Sequence, residues 1–204
     1  MLINTHNMTN NFQFIPELLD FSEKNTFYFI QILKRRKENP EMKTGVRVVD
    51  NYYIYSHEDL EKLKDKIIES CTLHNARAYI NVNRLDLERI ALHASKKTIE
   101  LIIQGDFKAV KNVYPSVCGS HSSESDKRWV VDIDTKDANV VHDIMRIIED
   151  LHANITKSNY KILATLPTKN GVHIITNPFN LKAFKDLEPN IDVHKSSPTI
   201  LYIP

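Results

Sequence analysis

The sequence predicts an α+β fold, in which an N-terminal mixed α/β lobe is followed by a C-terminal β-α-β-β-α-β unit. Short runs rich in Val, Ile and Tyr, typical of strands, alternate with longer segments whose apolar residues recur at helical spacing. A small, polar stretch over residues 119–127 separates the two halves. The patterns after it follow the order of a ferredoxin-like unit. We therefore expect one compact domain of two lobes, residues 12–118 and 128–204, joined by a mobile loop.

The first lobe follows a polar, Asn-rich segment over residues 1–11, which we expect to be a flexible tail. Ser56 is placed to cap a helix, because a Ser side chain accepts hydrogen bonds from the free N–H groups of a first helical turn. Glu58 and Asp59 in that turn suit the positive end of the helix. The expected elements are a short helix over 14–21, an apolar run over 27–33, a strand over 47–55, a helix after Ser56, a strand over 77–83 and a helix over 85–104.

The second lobe has the clearer pattern. An apolar strand is followed by an amphipathic helix, by two strands around a polar turn, and by a short helix and a last strand. This unit supports RNA-binding domains and polymerase palms alike, so the arrangement alone does not indicate a function. The expected elements are Trp129–Ile133, Asp137–His152, Tyr160–Leu166, Val172–Thr176, Leu181–Leu187 and Thr199–Ile203.

Composition excludes several classes of protein. The net charge of +1 argues against wrapping long duplex DNA by bulk electrostatics, although a local basic groove remains compatible with it. Cys71 and Cys118 are far apart, which excludes a cysteine-based zinc module within this chain and gives no sign of a disulfide framework. The N-terminal residues do not resemble a signal peptide, and no run approaches the ~20 apolar residues of a membrane span. We expect a cytoplasmic protein without a membrane partner.

The first candidate site is an acidic pair at the end of a buried strand. Asp132 and Asp134 follow three large apolar residues and are two positions apart, so both carboxylates point to one face of the strand. Neighbouring carboxylates repel each other unless a cation lies between them, and Mg²⁺ accepts such oxygen ligands. Taken alone, the pair is also what a strand running out into solvent would show.

The second and third candidates follow in the same lobe. Gly171 lies in the turn between two strands, where its missing side chain would let backbone N–H groups approach a phosphate. Lys169 and His173, with the Thr168 hydroxyl, are placed to grip a triphosphate at the mouth of this hairpin. Asp192 follows an apolar residue just before the last strand. Each feature alone is equally typical of an ordinary hairpin or a connecting loop.

Together, these three features resemble the archaeo-eukaryotic primase superfamily, and most closely the polymerase domain of bacterial end-joining ligases. Asp132 and Asp134 resemble its first motif, Gly171-Val172-His173 its second, and Ile191-Asp192 its third. The family commonly has Ser two residues before the His, whereas this chain has Gly171. The resemblance covers residues 127–204 and is thin over the first lobe.

The resemblance implies a metal-dependent nucleotidyltransferase that makes or extends short nucleic-acid strands. Asp132, Asp134 and Asp192 would be its catalytic residues and hold Mg²⁺ or Mn²⁺, while His173, Lys169, Thr168 and Gly171 would bind the triphosphate. The implied partners are a nucleoside triphosphate, a single-stranded DNA or RNA template, and a helicase or other replication protein, as in viral and mobile-element replication.

A template surface is expected on the first lobe, where basic and aromatic residues occur close together in the sequence. The alternation over residues 77–83 places Tyr79 and two Asn residues on one face, which predicts a polar face. The candidates are Lys34, Arg35, Arg36, Arg77, Tyr79, Asn81, Asn83 and Arg84.

Two other functions fit the same residues. A protein that keeps the fold could bind nucleotide or single-stranded nucleic acid without polymerising, and the carboxylates could also serve a metal-dependent nuclease. Convergence of all three acids would favour catalysis, whereas an Asp192 that points away would favour binding.

Overall fold

The computed structural model describes residues 8–121, 127–151, 160–196 and 198–204, and confirms a mixed α+β fold built on two antiparallel sheets. Within these ranges, no helix combines the length and apolar character that crossing a bilayer requires.

The first sheet has the strand order β1-β10-β4-β2-β3, with β5 pairing with one end of β2. All its strand pairs are antiparallel. Strand β2 lies between β4 and β3, and its apolar residues Phe27–Ile30 and Ile32 are buried. The strands are β1 (Thr9–Asn10), β2 (Thr26–Arg35), β3 (Val46–Ile54), β4 (Arg77–Ile80), β5 (Leu85–Asp86) and β10 (Thr199–Ile203).

The helices of the first lobe pack on this sheet. The second helix begins after Ser56, whose side chain accepts the Asp59 N–H as expected, and ends at Asn75 in the left-handed conformation. Its buried face contributes to a large core that also contains the first sheet. The helices are α1 (Ile15–Leu18), α2 (His57–His74), α3 (Leu87–Ile103), α4 (Phe107–Val110) and α5 (Val113–Ser120).

The second sheet has the order β7-β8-β6-β9, again antiparallel, and carries two helices on one face. Numbered from its first strand, this order is 2-3-1-4, so the unit is β-α-β-β-α-β as expected. Its fourth strand is β9, however, and not Thr199–Ile203 as the sequence led us to expect. The elements are β6 (Trp129–Ile133), α6 (Ala138–Asp150), β7 (Ile162–Pro167), β8 (Val172–Thr176), α7 (Leu181–Leu187) and β9 (Asp192–His194).

Strand β10 leaves the second lobe and enters the first sheet between β1 and β4. All five of its residues are buried, so it needs neighbours on both edges and cover on both faces. Because β1 pairs with β10, the expected flexible tail is wrong for Thr9–Asn10. Asn11 is fully buried, and its side-chain amide donates to the carbonyl oxygens of Pro167 at 3.1 Å and Ile200 at 2.8 Å.

The two sheets are joined by a shared core and by a short polar clasp. Val130, Leu166 and Ile175 of the second sheet belong to the same buried cluster as the first sheet. Asn83 donates to the carbonyl oxygen of Arg128 at 3.0 Å and accepts its N–H at 2.6 Å. Of the expected loop over 119–127, the first two residues end α5, and residues 122–126 lie outside the described part of the chain.

Candidate functional site

A cleft of about 350 Å³ opens between the two sheets and collects most of the candidate residues. This volume lies within the usual range for sites that bind small molecules. The first sheet contributes basic and aromatic side chains, and the second contributes acids and histidines. The chemistry-bearing residues that line it are Arg35, Lys37, Arg77, Tyr79, Asp132, Asp134, Thr168, Lys169, Asn170, His173 and His194.

Strand β6 turns one face to the cleft and the other to helices α6 and α7. Val131 and Ile133 are buried in the helix-side core, so the alternation of side chains places Asp132 on the cleft side. Asp132 lies directly opposite His173 on β8. Asp134, just past the end of the strand, is exposed and also lines the cleft. Asp132, Asp134 and His173 therefore line one cleft.

His173 is held between two hydrogen-bonding partners. Its Nε2 lies 3.3 Å from Asp132 Oδ1, and its Nδ1 lies 2.8 Å from the hydroxyl of Thr199, which is fully buried in β10. A neutral imidazole that donates from Nε2 accepts the Thr199 hydroxyl at Nδ1, and a protonated one donates at both positions. The ring orientation is thus fixed from both sheets.

The contact with His173 also affects the pKa of Asp132. The hydrogen bond from His173 lowers the pKa of Asp132, and the charges of His173 and His194 act in the same direction. Partial burial opposes them, because desolvation disfavours the charged carboxylate. The balance keeps Asp132 ionised, as a cation ligand must be.

The hairpin turn between β7 and β8 forms the edge of the cleft. The Thr168 N–H donates to the Gly171 carbonyl at 2.9 Å, and the Gly171 N–H donates to the Thr168 hydroxyl oxygen at 3.0 Å. The Gly171 N–H is therefore occupied, and the residue is buried rather than open to a phosphate. A Cβ at Gly171 would lie 1.8 Å from the carbonyl oxygen of Ile133, so glycine is required for close packing against β6.

Cations line the cleft close to the acids. Arg35 donates to the Tyr79 hydroxyl oxygen at 3.2 Å, and Arg77 forms an ion pair with Glu38. Lys37 and Lys169 also line the cleft. Basic side chains concentrated in a cleft between low-dielectric walls attract anions more strongly than the same charges on an open surface.

Asp192 does not join this group. It is the first residue of β9, an edge strand, and is exposed. It lies directly opposite Asp132, so both side chains are on the same face of the sheet, but it is not among the residues that line the cleft. The described ranges contain no cluster of three or more His, Cys, Asp or Glu able to hold a metal ion. A metal centre that joins all three carboxylates stays a prediction. Asp132 and Asp134 still fit a divalent ion, because Mg²⁺ commonly takes one or two protein carboxylates and completes its shell with phosphates and water.

Three of the eight residues expected to form the template surface are buried. Asn81 and Asn83 are buried, and the Oδ1 of Asn81 accepts the N–H of Asn83 at 3.0 Å. Arg84 is also buried and forms ion pairs with Asp20 at 3.0 Å and Glu23 at 2.9 Å. These three residues support the fold and do not reach the cleft.

The other five template candidates differ in whether they line the cleft. Lys34 pairs with Glu41 at 3.2 Å, and Arg36 is exposed; neither lines the cleft. Arg35 and Arg77 do line it, together with Tyr79. The candidates that reach the cleft are therefore placed to meet the same ligand as the acids.

Sequence reasoning missed Thr199, His194 and Lys37. His194 shares a face of β9 with Asp192, so the Asp-x-His spacing was a usable signal. Lys37 ends the basic run that begins at Lys34 within β2, but it was not among the expected site residues. Thr199 is 26 positions from His173, and nothing in the sequence indicates their contact.

Comparisons with models of known protein families, with curated proteins and with solved structures find no match for this chain. The chemistry of the cleft therefore carries the functional assignment. Two carboxylates, an oriented imidazole and several cations in one cleft suit a ligand that is anionic and accompanied by a divalent ion.

Proposed function

We propose that this protein is a metal-dependent nucleotidyltransferase of the primase-polymerase type, acting in the cytoplasm on nucleoside triphosphates. One observation carries the proposal. Asp132, Asp134, His173 and Lys169 line the same cleft, with His173 fixed 3.3 Å from Asp132. The β-α-β-β-α-β unit that presents them also supports polymerase palms and is therefore compatible with the proposal.

Asp132 and Asp134 would hold Mg²⁺ or Mn²⁺ in this proposal. When bound, a divalent ion at such a pair neutralises phosphate charge and lowers the pKa of an attacking hydroxyl. The lowered pKa of Asp132 supports this role, because the carboxylate stays charged and its negative charge is available to a cation.

The cationic residues would receive the triphosphate. Lys169 at the hairpin edge and Arg35 on the facing sheet approach the cleft from two sides, which would orient a polyphosphate chain between them. His173 would turn its Nε2–H from Asp132 to a phosphate oxygen once the carboxylate holds the ion, with Thr199 keeping the ring in place. The Thr168 oxygen accepts the Gly171 N–H, so its own O–H remains able to donate.

The second candidate is a binding protein that holds nucleotide without transferring it. The exposed position of Asp192 favours this alternative, because the cleft then offers only two carboxylates. A single-stranded template and a helicase or other replication protein remain the proposed partners of the transferase.

Incorporation of a labelled nucleoside triphosphate on a single-stranded template tests the proposal, with Mg²⁺ and Mn²⁺ in parallel reactions. Wild-type protein is expected to synthesise or extend a strand. His173→Ala should slow incorporation by roughly 10²-fold, the scale for losing one charge-stabilising donor. Lys169→Ala should have a smaller effect, because water and salt partly replace a flexible ammonium.

Lys108→Ala is the matched control, since Lys108 is exposed on α4 and lines neither the cleft nor its edge. It should retain wild-type activity. Triphosphate binding without incorporation would support the binding protein instead. Shortening of the template would indicate a nuclease. A wild-type protein that neither binds nor incorporates the triphosphate would refute the transferase proposal.

A further inference from the structure

A second groove of about 500 Å³ lies on the other side of the hairpin turn that borders the cleft. It runs between the N-terminal segment and the turn, and Thr168 and Lys169 line both the groove and the cleft. A ligand lying in the groove would therefore reach the cleft by passing the Lys169 side chain.

The groove has the charge expected of a site for a polyanion. Lys136 and Lys169 line it, and none of the described residues lining it is acidic. The cleft differs in this respect, because Asp132 and Asp134 stand among its cations. A groove that is cationic without carboxylates suits phosphates that arrive without a metal ion, as those of a nucleic-acid backbone do.

The groove also offers groups that suit bases. Phe14 lines it with 39% of its surface exposed, so part of its ring is accessible to a ligand in the groove. Gln13 and Asn10 line the same groove and carry amide groups. Exposed aromatic rings next to basic side chains are the means by which many proteins hold single strands without reading their sequence.

We infer that this groove binds a single-stranded nucleic acid, with Lys136 and Lys169 on its phosphates and Phe14 stacked on a base. The inference rests on the proposed function, because a transferase cleft needs a strand delivered to its acids. It moves the template from the first-lobe residues Asn81, Asn83 and Arg84, which are buried, to the groove beside the hairpin.

Fluorescence anisotropy with a labelled deoxythymidine oligonucleotide of about 12 nucleotides tests the inference. Lys136→Ala should weaken binding roughly fivefold and make its salt dependence shallower by about 0.7 in log–log slope, as for one lost phosphate contact. Phe14→Ala should weaken binding roughly tenfold, with Phe14→Leu as the control that keeps an apolar side chain. Lys108→Ala removes the same charge elsewhere and should leave the affinity unchanged.

The oligonucleotide and triphosphate readouts separate this inference from the proposed function. Lys136→Ala should keep wild-type triphosphate affinity, whereas Lys169→Ala should weaken both ligands because Lys169 lines both sites. Oligonucleotide binding that depends on Lys136 in a protein without incorporation would support the groove and refute the transferase. Equal oligonucleotide affinities in wild type, Lys136→Ala and Lys108→Ala overturn the inference. Displacement by polyglutamate at equal charge concentration also overturns it, since the groove would then accept any acidic chain.

Discussion

Replacing Gly171 with alanine is the substitution for which the structure gives the clearest expected cost. A Cβ at this position would lie 1.8 Å from the Ile133 carbonyl oxygen and 2.7 Å from the Thr135 nitrogen. Real Cβ atoms are essentially never found within 3.0 Å of such neighbours. Both neighbours are backbone atoms, so the hairpin must move away from the end of β6, and Asp134 lies between the two residues it would push.

The magnitude follows from the cost of overpacking. Adding one carbon to a packed site typically costs about 1–3 kcal/mol, and a backbone neighbour that cannot rotate away places Gly171→Ala near the upper end, at about 3 kcal/mol. For a chain of this length, each kcal/mol lowers the melting temperature by about 2–4 °C, so the expected decrease is about 6–12 °C.

Thermal unfolding followed by circular dichroism checks this value. Gly45→Ala is the matched control, because no atom lies within 4 Å of the position that its Cβ would occupy. The control should stay within about 0.5 kcal/mol of the wild type. A Gly171→Ala protein that melts within 2 °C (about 1 kcal/mol or less) of the Gly45→Ala protein would refute the close packing of the hairpin against β6.

Three further predictions concern the contacts around the cleft. The pKa of Asp132 is lowered, so its ionised carboxylate stabilises the fold above the unfolded-state pKa, and this contribution is lost as the pH falls through the folded-state pKa. Urea titrations between pH 5 and 2 should show a shallower loss of stability in Asp132→Asn. Thr199→Val keeps the buried shape but removes the partner of His173 Nδ1, and should cost about 1 kcal/mol in urea unfolding and slow incorporation, with Thr199→Ser restoring both. Asn83→Ala removes two hydrogen bonds to the Arg128 backbone and should cost about 2 kcal/mol by the same titration, whereas an unchanged midpoint would show that the clasp is dispensable.

Local patterns were sufficient to predict three of the four strands of the second sheet. The alternation in Trp129–Ile133 placed Asp132 on the face opposite the helices, and the spacing of Val172 and His173 placed the imidazole on the same face. Since a strand repeats every two residues, two strands that pair in register bring their polar faces together. The contact of Asp132 with His173 follows from these local rules once the strands are paired.

Strand periodicity could not predict whether a polar face of a strand is buried by other parts of the protein or exposed to solvent. The polar alternation after β4 predicted an open surface at Asn81 and Asn83, but those amides satisfy backbone groups inside the protein. A buried Asn that bonds to backbone looks, in sequence, like an exposed Asn that binds a ligand.

The assignment of the last strand failed for a related reason. Every residue of Thr199–Ile203 is buried, so its sequence pattern does not indicate which of the two sheets the strand joins. Its partners in the first sheet are β1 and β4, which are distant in sequence. This crossover brings Thr199 to His173 and completes the site in a way that no local motif indicates.

We propose that Asp132 and Asp134 supply a metal-dependent triphosphate site between the two sheets. The most direct measurement is the affinity for a fluorescent nucleoside triphosphate with and without Mn²⁺, in the wild type and in the double variant Asp132→Asn, Asp134→Asn. We expect Mn²⁺ to strengthen binding by roughly tenfold or more in the wild type and to have little effect in the double variant, because the two carboxylates would hold the ion and its charge would attract the ligand phosphates. Equal affinity with and without Mn²⁺ in the wild type, or an equal effect of Mn²⁺ in both proteins, would contradict the claim.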